Sequence, residues 1–133
     1  MAKIFVDTNI FVYTLFKIDK QKQERCILLF SKAEEGKIRL WTTEWVIAEL
    51  IWFLQRQKAE LDKVKKIILK ILATKGLEVE KRGEILEAMD IWNETVNFVD
   101  SINIIYAKNK EILSLFSFDK GFDQIKTVKR IEP

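Results

Sequence analysis

At 133 residues, 48% hydrophobic and 32% charged, the chain is long enough to bury a core without crosslinks and reads as one globular domain over 1–133. Its single cysteine, Cys26, excludes an internal disulfide and fits a cytoplasmic location. The absence of histidine excludes Ser-His-Asp and Cys-His catalysis and the usual zinc sets, so any metal site must be oxygen-rich, which favours Mg²⁺, Mn²⁺ or Ca²⁺; a net charge of +3 is too small to argue for nucleic acid on its own.

In chain order, KIFVD (3–7) reads as a short buried strand that ends in an acid. A short helix over 8–18 follows, and then a second over 20–35, which Gly36 closes. KIRLWTT (37–43) reads as a second strand, with Thr43 placed to cap the helix that carries WVIAELIWFL (45–54). From Leu61 or Asp62, Val64, Ile67, Ile68, Ile71 and Leu72 recur at helical spacing up to Gly76. LEVE (77–80) is a short strand candidate. After Gly83, Ile85, Met89, Trp92 and Val96 fall at i, i+4, i+7 and i+11 and predict an amphipathic helix. Asp100 then stands where a cap belongs, before SINIIYAK. EILSLFSF (111–118) and TVKRI (127–131) complete the strand candidates. Strands alternating with helices predict an α/β fold with a mostly parallel sheet and helices on both faces. No run of apolar residues approaches the roughly 20 that a membrane helix needs, and Asp7 breaks the N-terminal run before it resembles a signal peptide.

Four acids occupy unusual places. Asp7 and Asp119 close strands, Asp100 opens a helix, and Glu49 is the one charge within WVIAELIWFL. Functional groups in open parallel sheets gather at the carboxyl ends of strands. Each acid also has an ordinary reading: Asp100 as an N-cap, Asp7 and Asp119 as turn residues, Asp123 as a surface acid, and Glu49 with Gln55 as a thin polar edge. Glu49 is the hardest of these to dismiss, because a carboxylate among apolar residues reads as interior and an ionised group taken out of water is costly. Together, several carboxylates and no histidine suit a phosphodiesterase that works with Mg²⁺ or Mn²⁺. Four such acids close together without metal would repel and raise at least one pKa.

The order of FVDTNIFV (5–12), TTEWVIAEL (42–50), FVDSINIIYA (98–107) and LFSFDKGFDQI (115–125) resembles the PIN domain family, particularly its small stand-alone VapC-type toxins. The likeness runs over essentially the whole chain. It implies a three-layer α/β/α sandwich around a mostly parallel sheet of about five strands. It further implies that Asp7, Glu49, Asp100 and Asp119 ligate Mg²⁺ or Mn²⁺ and activate water, with Asp123 a peripheral ligand and with Asn9 and Ser117 orienting acids or contacting phosphate. Where many members carry small residues after the third acid, this chain has Ser101, Asn103 and isoleucines; Asn103, one turn past Asp100, would support it. The implied activity is endonucleolytic cleavage of RNA, by a homodimer silenced by a cognate antitoxin protein.

Trp45, Glu49 and Trp52 share one face of a helix. The two tryptophans read first as core or dimer-interface residues, and second as a platform on which a base stacks. Lys17, Lys20, Lys22, Arg25, Lys37 and Arg39 form a candidate rim for RNA, whereas the lysines of 63–70 read as a solvated helix face. The alternatives are a PIN-like RNA-binding scaffold without catalysis, an RNA-processing nuclease outside any toxin–antitoxin system, and a phospho-acceptor receiver domain. The receiver reading lacks the acidic pair after the first strand, and Lys120 directly follows Asp119, which is the wrong arrangement.

Overall fold

The computed structural model describes residues 1–133, which divide into two compact units, Met1–Arg82 and Gly83–Pro133. The elements alternate as expected: β1 (Lys3–Phe5), α1 (Thr8–Leu15), α2 (Lys20–Glu34), β2 (Arg39–Thr42), α3 (Glu44–Arg56), α4 (Leu61–Leu72), β3 (Leu77–Val79), α5 (Arg82–Ala88), α6 (Phe98–Asn109), β4 (Ser114–Phe116) and β5 (Lys129–Ile131). All strand pairings are parallel. Five strands are present, but in place of one five-stranded sheet they form a ladder of three, β1-β2-β3, and a ladder of two, β4-β5. No helix is long and apolar enough to cross a membrane.

In the first unit, β2 is the central strand, pairing Leu40 with Ile4 on one side and with Leu77 on the other. Its last residue, Thr42, is fully buried, and its hydroxyl donates to the carbonyl of Val6 at 2.8 Å. The Val6 amide in turn donates to Trp41 O at 2.8 Å, so the chain is pinned at the residue before Asp7. α3 starts where Thr43 Oγ1 accepts from the amide of Val46, carries Glu44 in its first turn and Arg56 in its last, and so complements the helix dipole at both ends. Val46, Ile47, Leu50, Ile51 and Leu54 form its buried face. Burying side chains of this size stabilises the fold by about 1.5–3 kcal/mol each before the entropy of ordering them is counted. α4 buries Val64, Ile68, Ile71 and Leu72 and turns Lys63, Lys66 and Lys70 to solvent. Gly76, between α4 and β3, has φ +84°, and a Cβ there would lie 2.2 Å from the carbonyl oxygen of Ala33 in α2, so only glycine fits. Phe11 of α1 packs on Phe30 of α2, and Phe16, just past the end of α1, packs edge-to-face on Phe53 of α3.

The second unit is built differently. The helix predicted from Ile85 to Val96 ends at Ala88, although Ile85, Trp92 and Val96 are all buried. The Asn93 side chain takes the backbone here: its Oδ1 accepts from the amides of Thr95 and Val96, at 2.7 and 2.8 Å, and turns the chain out of the helix. Trp92 packs edge-to-face on Phe98, with ring centroids 5.3 Å apart. Asn97 caps α6 by accepting from the amide of Asp100, so Asp100 is not the cap but sits within the first helical turn. The strand expected over 111–118 is confined to 114–116, because Glu111 adopts φ +60° and the amide of Ile112 still donates to Ala107 in the helix end.

Candidate active site

Asp7 leaves the pinned end of β1 in an extended conformation, as the N-cap residue of α1, but its carboxylate makes no capping bond. That side chain lines an open cavity of about 410 Å³ together with Asn9, Tyr13, Glu49, Trp52 and Arg56. Glu49 corrects the expectation of an interior carboxylate: it is exposed, on the strip of α3 that also carries Trp45 and Trp52, and it is aimed at the same cavity as Asp7. The reason is helical phase, since residues 46–48, 50 and 51 take the buried positions and leave 45, 49 and 52 outward. Thr8 Oγ1 donates to Glu49 Oε2 at 2.9 Å, a bond that links positions 41 residues apart and fixes the acid from α1. Sequence reasoning missed both Thr8 and Thr42. The run WTT carried the only signal for Thr42, a hydroxyl at the end of an apolar strand.

The tryptophans are not core residues. Trp45 is 68% exposed and Trp52 is 51% exposed, and of the two only Trp52 lines the acidic cavity. The neighbouring cavity, of about 430 Å³, shares Asn9 and Tyr13 with the acidic one but is lined by Lys22 and Arg25.

In the second unit, Asp100 is half-buried on α6, and burial, then the nearby Asp119 carboxylate, push its pKa up. The repulsion expected among the acids is therefore present at this pair. Asp119 follows β4, and its geometry is set by its neighbours: its amide donates to Ser117 Oγ at 2.9 Å, and its Oδ1 accepts from the amide of Gly121 at 2.8 Å. A Cβ on Gly121 would lie 2.9 Å from Thr95 Cγ2 and 3.0 Å from Asp119 Oδ1, so glycine leaves the space that this carboxylate uses. Ser117 therefore bonds the backbone amide of Asp119 and not its carboxylate. Asn103 is exposed one turn past Asp100. Asp123 is engaged by Arg130, which donates to both of its oxygens at 2.8 and 3.2 Å and holds its pKa down. Arg130 also donates to the carbonyl of Ser117 and to Glu132, tying β5 to the turn after β4.

The acids therefore come as two pairs, Asp7 with Glu49 and Asp100 with Asp119. Neither unit by itself gathers three acidic or cysteine side chains at metal-holding spacing. Each pair offers hard carboxylate oxygens of the kind that Mg²⁺ and Mn²⁺ prefer, and in neither does an ion pair with lysine or arginine occupy the carboxylates.

The model for the family described as PIN domain matches residues 4–128. Among curated proteins, none matches the chain. A solved structure that resembles it is that of the Mycobacterium tuberculosis VapC20, a Sarcin-Ricin loop cleaving toxin, at 20% identity over 99% of this chain and 100% of that one. Its TM-score of 0.42 carries no argument about activity.

Proposed function

The chain belongs to the PIN domain family, and from that premise we propose that it is a divalent-metal-dependent endoribonuclease, the toxin of a toxin–antitoxin pair acting in the cytoplasm. The observation that carries this reading is the acid pair Asp7–Glu49, brought from β1 and α3 to one open cavity with no capping bond on Asp7 and a threonine orienting Glu49. On this reading Asp7 and Glu49 in the first unit, and Asp100 and Asp119 in the second, are the acids that would hold Mg²⁺ or Mn²⁺. A bound divalent ion would supply charge neutralisation at the phosphate and a water acidic enough to attack at neutral pH. The chain's own part is positional. Thr42 fixes the carbonyl before Asp7, Thr8 directs Glu49, and the Ser117 and Gly121 bonds aim Asp119. With no cation present, Asp100 holds a proton more readily than a free carboxyl does; a cation at the pair would reverse that preference. Homodimerisation and a cognate antitoxin are part of the proposal, supported by apolar side chains left exposed on α2 and α3, namely Ile27, Leu28 and Trp45.

The test is cleavage of RNA with Mg²⁺ or Mn²⁺, with and without chelator, by protein purified free of host nucleases. Wild-type protein is expected to cut only with metal, and the Asp7→Ala and Glu49→Ala variants are expected to be inactive. Cleavage that survives chelation, or that persists in both variants, removes the proposed site. Tight RNA binding with no turnover in any divalent metal would instead support the non-catalytic scaffold.

A further inference from the structure

On the ribonuclease reading the acidic cavity would hold the bond to be cut, but Arg56 is the one cation in its lining to meet a polyanion there. The adjoining cavity of about 430 Å³ has the opposite character: Lys22 and Arg25 line it and no carboxylate does. They lie three residues apart on α2 and so share a face, and both are exposed. Neither forms an ion pair with the chain's own acids. Lys22 is not free to wander, because its ammonium stands 4.9 Å from the ring centroid of Tyr13. Tyr13 and Asn9 form the wall common to both cavities. A cation pair with unspent charge, held at the shared wall of an acidic cleft, is an arrangement that a neutral ligand or a free metal ion would not need.

We propose that the Lys22–Arg25 cavity is a phosphate-binding subsite for single-stranded RNA, which receives a backbone phosphate flanking the one presented to Asp7 and Glu49. The proposal rests on the ribonuclease reading for the identity of the ligand, but not on the acids being catalytic. The subsite sets the direction of the strand: one neighbouring phosphate lies at Lys22 and Arg25, with Asn9 and Tyr13 between it and the acids. Lys22 and Arg25 are positioning residues, since they touch the substrate away from the reacting bond.

The experiment measures binding of short single-stranded RNA in chelator, where no cleavage is required, as a function of salt. Lys22→Gln with Arg25→Gln is expected to weaken binding about tenfold at moderate salt and to flatten the slope of log affinity against log salt by about 0.7, the share of the one phosphate that the pair no longer neutralises. Lys66→Ala, which removes a lysine from the exposed side of α4, controls for net charge and is expected to change neither quantity, and Lys22→Arg is expected to retain wild-type binding. A walk of single uncharged methylphosphonate linkages along the RNA is expected to reveal one flanking position that costs wild-type protein affinity and costs the double variant nothing. If the double variant binds with wild-type affinity and slope, if it keeps the methylphosphonate penalty, or if Lys66→Ala loses as much, the subsite does not exist. Binding that depends on Lys22 and Arg25 in a protein that cleaves with no metal would uphold the subsite and overturn the catalytic reading. No binding of RNA would overturn both.

Discussion

The two units present their acids by opposite means. In the first, apolar packing fixes the site: α3 has a face of six buried aliphatic side chains, and Glu49 is aimed because Ile47, Leu50 and Ile51 leave it one direction to point. In the second, side chains bonding to backbone amides fix it: Asn93 turns the chain, Asn97 caps α6, and Ser117 and Gly121 hold Asp119. Packing fixes a direction through many small contacts, and weakening one of them is shared among the rest. A polar turn depends on two or three bonds, and the loss of one releases the geometry it held.

This contrast can be broken most directly at the anchor of the second unit. Trp92→Ala, at a fully buried ring, is expected to cost about 3–5 kcal/mol in chemical denaturation. Ile47→Val, in the redundant core of the first unit, is expected to cost only about 0.5–1.5 kcal/mol. A Trp92→Ala cost no larger than that of Ile47→Val would mean that the ring is no anchor of the second unit. Next in size is Asp119→Ala, expected to lower cleavage about 10²-fold or more, the scale on which single groups act in catalysis, and to cost about 0.5–1.5 kcal/mol of stability through the lost bond to the Gly121 amide. Gly121→Ala sharpens the comparison because it alters no ionisable group. The added methyl crowds Asp119 Oδ1, and cleavage is expected to fall about tenfold, since small displacements of a reacting group are costly. Asn97→Ala removes the α6 cap and is expected to destabilise the protein by about 1 kcal/mol.

The smallest effect is a pH dependence at Asp100. Its folded pKa is raised above 3.8, so its ionised form is disfavoured in the folded state; the cost is absent below the unfolded pKa and grows as pH rises through the folded value. Asp100→Asn is therefore expected to raise the thermal midpoint slightly at pH 7 without metal, with the gain vanishing below about pH 3.8. A gain that persisted at acid pH would assign the effect to packing instead of charge.

The same contrast explains what was legible in the sequence. Apolar periodicity located α3 and α4 within a residue or two and predicted the burial of Ile85, Trp92 and Val96. It did not reveal that 89–96 is no helix, because tight turns at 89–91 and the Asn93 side-chain bonds to Thr95 and Val96 carry the chain there, and neither has a period. In the same way Asp100 read as a cap, whereas the helix starts at Phe98 and Asn97 accepts from the amide of Asp100 itself. Position after a strand marked Asp7 and Asp119, and the break in an apolar run marked Glu49. Its exposure was illegible, because a helix that is apolar on nearly every side does not declare which narrow strip faces out. Thr8 and Thr42 act through tertiary bonds to residues 41 and 36 positions away, which local spacing cannot encode.

Cys26 gives this molecule a reporter of its own. The only thiol in the chain is 7% exposed on α2 and forms part of the wall of the cavity beside Lys22 and Arg25. A thiol reagent reaches it through that cavity, so the rate of labelling reports how accessible the cavity is. Ligands that settle there would slow the reaction, and no dye, tag or engineered residue would be needed to watch them arrive.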